Sequence, residues 1–138
     1  MKVLRRVLIA LVVLLAVLQL VPVDRSNPPV TGDVEAPAEV KALLRRACYD
    51  CHSNEVRWPW YSKIAPVSFL VAHDVKEGRE HVNFSEWDKL TPSKRDKVRE
   101  EVFEECEEGE MPLKPYLLLH ADAKLTEADL NLLREWAK

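Results

Sequence analysis

The hydrophobic pattern changes character along the chain. After the basic residues Lys2, Arg5 and Arg6, every position in 7–18 is apolar, and with Gln19 as the one polar residue the run continues to Val21. A basic start followed by an apolar run marks a membrane-targeting segment rather than part of a folded core. Residues 7–23 number 17, roughly 25 Å of helix, which is the short limit for crossing a bilayer. The positions after the apolar run offer no small-residue cleavage site and no cysteine for a lipid anchor. The expectation is therefore a signal anchor and transmembrane helix over residues 1–23, with a cleaved signal peptide as the alternative. Its positive residues stay on the cytoplasmic side, placing the remainder on the periplasmic or extracytoplasmic face.

Residues 24–37 lack periodicity and carry Pro28, Pro29 and Pro37 among small polar residues, which predicts an extended linker. Helical spacing begins at Ala38. Val40, Leu43, Leu44, Ala47, Cys48 and Cys51 fall on one face, so both cysteines project from the buried side at a helix end. A second helix is expected from near Pro66 to Glu77, with Gly78 as its stop. A third starts at Thr91 with Pro92 in its first turn, buries Val98, Val102, Phe103 and Cys106, and ends at Gly109. The last is capped by Thr126 with Asp129 at the third position, and Leu125 and Leu130 form a hydrophobic staple across its start. No segment alternates apolar and polar residues, so the fold class expected is all-α, with one domain over residues 38–138.

Composition narrows the function. The formal net charge is −3 although the leader is purely basic, so the domain itself is acidic and a nucleic-acid partner is not expected. A domain of about 100 residues has room for one modest core. Neither a Ser/His/Asp arrangement nor a glycine-rich phosphate loop suggests independent catalysis, so an enzyme is not expected.

Chemistry concentrates at Cys48-Tyr49-Asp50-Cys51-His52, a C-x-x-C-H sequence. Two thiols one helical turn apart can form thioethers with the two vinyl groups of a haem, and the histidine that follows can reach the iron. The competing readings are half of a zinc site completed by Cys106 and a histidine, or a thiol-redox couple. The first lacks a second ligand pair at metal spacing, and the second lacks a βαβ context.

The stretch CYDCHSNEVRWPWYSKIAPVS, then EGREHVNFSEW, then GEMPLKPYLLLHADAKLT, resembles the small bacterial haem-binding domain proteins, membrane-anchored relatives of class I cytochromes c. The likeness covers residues 38–138. Its Trp58-Pro59-Trp60-Tyr61-Ser62 and Asn83-Phe84-Ser85-Glu86-Trp87 runs are more distinctive than C-x-x-C-H alone. The resemblance implies a cytochrome c-like helical fold around one haem c held through Cys48 and Cys51, but no defined physiological reaction.

His52 is expected as the proximal iron ligand. Met111, in Gly109-Glu110-Met111-Pro112, is the expected distal ligand, because it is the only methionine beyond the first residue and a thioether on a stiff loop suits His/Met ligation. Its alternative role is filling a gap in the core. His73 and then His120 follow as rivals, while His81 and His120 border loops and are expected to face water. Trp58, Trp60 and Tyr61 are candidates to wall the haem, and Arg57 and Lys63 to meet its propionates. The acidic run Glu100, Glu101, Glu104, Glu105, Glu107, Glu108 and Glu110 can steer a basic redox partner, or can simply be a solvated helix face. Together these point to a membrane-anchored monohaem electron carrier, with a haem-based sensor having a labile distal ligand as the rival.

Overall fold

The computed structural model describes all of residues 1–138 and is all-α. The leader forms helix α1 (Lys2–Leu18), with none of its residues buried. It stops short of the expected span 1–23, and no helix of the structure is long and apolar enough to cross a membrane. Gln19 caps α1, and its side-chain oxygen accepts from the Ala65 N–H (2.9 Å).

Helix α2 (Ala38–Ala47) buries Val40, Leu43, Leu44 and Ala47, as its spacing requires. It does not run on through the cysteines. At Cys48 the backbone departs from helical angles (φ −122°, ψ −34°), and the short helix α3 (Tyr49–His52) begins. Helix α4 (Val67–His81) is longer than expected, with Gly78 inside it rather than ending it. Helix α5 (Pro92–Glu107) has Pro92 in its first turn and a Thr91 cap, and Gly109 beyond its end takes the left-handed φ of 75°. After the short helix α6 (Lys114–Leu117), α7 (Glu127–Trp136) opens with a complete capping box between Thr126 and Asp129. Single 3-10 turns occupy Trp60–Lys63, Trp87–Lys89 and Ala121–Ala123.

Helix α2 packs on α3 and α7, α3 on α4, and α5 on α7. Through the centre runs a ladder of rings in which Tyr49 stacks on Phe84 (5.5 Å), Phe84 on Trp87 (6.3 Å) and Trp87 on Trp136 (6.1 Å). Each offset pair contributes about 0.5–1.5 kcal/mol beyond its burial. The ladder joins the cysteine-bearing turn to the C-terminal helix.

The linker expected over 24–37 is extended, yet it is bound along the domain. Val34 is fully buried in the core. The Thr31 and Gly32 amides donate to the Ser85 carbonyl, the Asn27 side chain donates to the Val56 carbonyl, and the Asn54 side chain donates to the Pro29 carbonyl of the strap. Linker composition signals the lack of helix but not the side-chain bonds that pin it. Asp33 is its strongest anchor, accepting from Tyr49 (2.5 Å) and Lys41 (3.0 Å). Burial works against that charge, but the Tyr49 hydroxyl and the Lys41 ammonium outweigh it and hold the carboxyl below its ordinary value. A lowered acid pKa means stability that is present near neutrality and lost as pH falls through the folded-state value, below about pH 4. The melting temperature of Asp33→Asn is therefore expected to lie below that of the native chain at pH 7, with the gap closing in acid. A gap that stays constant with pH would show that the carboxylate charge contributes nothing.

Candidate functional site

Cys48, Cys51 and His52 are brought together by the α2–α3 joint. Their placement follows from α2, whose buried face carries the chain into the turn: the Cys48 amide still donates to Leu44, while the Cys51 and His52 amides both donate to the Cys48 carbonyl (3.1 and 2.9 Å). Cys48 and Cys51 are half-buried free thiols. Burial pushes both thiols up, that of Cys51, where the neighbouring Asp74 and Asp50 carboxylates reinforce it, to about 12. Thiol exchange and zinc binding both need thiolates. Burial thus disfavours the thiolate that either reaction would use. Nor is any group of three or more His, Cys, Asp or Glu side chains placed to hold a metal ion. Cys106 is buried in the core among apolar neighbours.

His52 is oriented by its neighbours. Its Nδ1 lies 2.8 Å from the Gly78 carbonyl and 3.3 Å from that of Val82, both of which can only accept, so Nδ1 carries the hydrogen and Nε2 keeps its lone pair without a protein partner. Burial lowers the imidazole pKa, outweighing the two backbone carbonyls that favour the charged form. The ring is thus neutral at neutral pH, as a metal-binding imidazole must be.

Gly78 is required here by close approach. A Cβ at this position would stand 2.8 Å from the Cys51 carbonyl oxygen, which explains a glycine inside α4 where sequence reading places a helix stop. Gly78→Ala is expected to cost about 1–3 kcal/mol through overpacking and to loosen His52. Unchanged thermal unfolding of that variant would mean α3 and α4 have room to part.

The second distinctive run, Asn83 to Trp87, is the buttress behind the motif. The Phe84 amide donates to the His52 carbonyl (2.8 Å), and its ring meets the imidazole edge-on at 6.3 Å. Ser85 and Asn83 hold Asn54 through its amide and side chain, and Arg79 donates to the Ser53 carbonyl.

The remaining candidates separate. Met111 is half-buried against the hydrophobic core, its amide bound to the Glu105 carbonyl at the end of α5 (3.1 Å). Trp58 is half-buried, and its indole N–H has no partner. Trp60 is exposed on the surface, edge-on to Tyr61. Arg57 pairs with Asp50 at 3.5 Å, and Lys63 is exposed. His73 and His81 are exposed. His120 is not turned to water as its loop position suggests: it is half-buried, stacked on Tyr116 at 4.1 Å and sharing a 2.8 Å hydrogen bond with Tyr61. Tyr116 in turn donates to Asp50 (3.0 Å), which closes this cluster over the motif. Sequence reading missed it because Asp50 and Tyr61 lie more than fifty residues from Tyr116 and His120 and only the fold brings the two stretches together.

A cleft of about 650 Å³ lies elsewhere, between α4 and the strap, lined by Trp58, Phe69, His73, Val75 and Arg79 among others. Cys48, Cys51, His52 and Met111 do not line it.

Compared with known proteins, the chain matches over residues 13–138 the family model described as a haem-binding domain. No curated protein and no solved structure matches it.

Proposed function

This chain belongs to the haem-binding domain family, and from that premise we propose that it carries one haem c, attached through Cys48 and Cys51 and ligated by His52 and Met111, and acts as a monohaem one-electron carrier. The observation that carries this reading is the state of the motif itself: two unpaired thiols one turn apart, followed by an imidazole whose Nδ1 is anchored on Gly78 and whose Nε2 is free. That donor set fits a haem. Haem, when bound, supplies the one-electron iron couple.

The protein's own residues do the rest. The reduced thiols would hold the group through thioethers formed by addition to its two vinyl groups, so that it would not be lost to solvent. The Gly78 carbonyl fixes the His52 tautomer and raises the basicity of Nε2, the role that outer-shell acceptors play at metal-bound histidines. Met111, on a turn tied to the end of α5, offers a soft thioether that favours the reduced state. A haem held by both His52 and Met111 would leave no open site for substrate, which suits a carrier rather than a catalyst.

The basic-to-apolar leader serves as the export and membrane-attachment segment, with the haem domain on the extracytoplasmic side, where cysteines await attachment rather than metal capture. The exposed glutamates of α5 lead up to Met111 and are placed to steer a basic redox partner, an attraction that salt would weaken. A pyridine haemochrome spectrum tests the reading. Protein matured extracytoplasmically should keep its haem through acid–acetone extraction, and release of all the haem would overturn covalent attachment.

A further inference from the structure

An apolar face is left uncovered at the start of α4. Trp60 is 71% exposed, Leu70 55%, Ile64 46% and Val67 42%. Single exposed apolar residues are ordinary, but these four share one short segment, and Val67 and Leu70 are neighbours on one helix face. Contiguous apolar surface marks a place of contact.

The structure ties this face to the leader. Gln19, the first residue after α1, holds the Ala65 amide between Ile64 and the start of α4, and Arg25 donates to the Ser62 carbonyl in the turn that carries Trp60 (3.2 Å). Arg79 then pins Ser26 and Asn27. The chain that follows the apolar helix is therefore bonded to the segment that carries this face, and Leu20 and Val21 of the leader are themselves exposed. We propose that Trp60, Ile64, Val67 and Leu70 rest on the lipid surface to which the leader attaches, so that the haem domain is held on the membrane in one orientation.

The chemistry of the face fits a bilayer interface. A tryptophan ring is at home at headgroup level, and the exposed Lys63 beside it can meet anionic lipid phosphates. The acidic helix α5 packs on α7 rather than on α4, which leaves its glutamates off the lipid-facing segment. Occupation by the haem or by another protein is the rival to a lipid surface.

The inference rests on membrane attachment by the leader, and one experiment separates the two. The full haem-loaded chain is reconstituted in phosphatidylcholine–phosphatidylglycerol vesicles containing a phospholipid with a photoactivatable diazirine in its acyl chain, and lipid adducts are mapped by mass spectrometry. Adducts are expected on residues 1–21 and on 60–70, with several-fold fewer on 92–107. Leu70→Glu, a surface change, should lower the 60–70 labelling several-fold and leave the leader's labelling intact. Adducts confined to the leader would overturn the lipid-facing surface while leaving attachment standing. A chain that neither floats with the vesicles nor takes up label overturns both.

Discussion

Replacing Cys48 and Cys51 together by alanine is expected to yield a chain with no haem that survives acid–acetone extraction, the largest effect any change to this protein should have. The expectation follows from the state of the two thiols. They are half-buried and unpaired, so no disulfide is lost with them. Alanine is close to cysteine in size, so the substitutions leave α2 and α3 packed and act on attachment rather than on folding. Single substitutions should keep one thioether each, giving a haemochrome band between that of the doubly attached and that of the extracted group. A domain of this size has a small core to begin with. Haem-free protein should accordingly melt lower than the loaded form, because a ligand bound only by the native state stabilises it. Covalent haem in the double variant would place the attachment elsewhere.

Met111→Leu is expected to lower the reduction potential by on the order of 0.1 V, a fraction of the roughly 0.8 V that axial ligands span. The reduced variant should also bind carbon monoxide rapidly. Leucine keeps the apolar volume that packs against the core, and such swaps commonly cost less than about 1.5 kcal/mol. The change therefore separates a methionine that fills space from one that binds iron. If the potential and carbon monoxide binding match those of the native chain, Met111 is core filling. His120 is then the nearest rival, since His73 is exposed. Rapid carbon monoxide binding by the native reduced protein would instead favour a sensor with a labile distal ligand.

How far the sequence could be read depended on whether the signal was local. The α7 capping box, Pro92 in the first turn of α5 and the left-handed Gly109 are short-range features, and each lies where the pattern predicts. So does the buried stripe of α2. What was not legible depended on chain segments meeting. Gly78 reads as a helix stop until the Cys51 backbone is seen against it. Residues 24–37 read as a free linker until Asp33 and Val34 are seen to be bound by the domain. Periodicity could not show the break at Cys48 either, because the apolar spacing of α2 continues in the sequence through Cys48 and Cys51, whereas the residue that α3 buries is Tyr49. At the site, C-x-x-C-H was visible as a string of residues. The Gly78 carbonyl that fixes the His52 tautomer, and the Asp50–Tyr116–His120–Tyr61 cluster, had no signature in the chain.

The central claim is that this domain is a covalent haem protein, and peptide mapping of the mature full-length chain tests it most directly. Proteolysis followed by tandem mass spectrometry should find the peptide containing Cys48 to His52 carrying one haem, with fragments assigning a thioether to each cysteine. Recovery of that peptide unmodified, or with Cys48 and Cys51 joined as a disulfide, from protein matured extracytoplasmically would contradict the account.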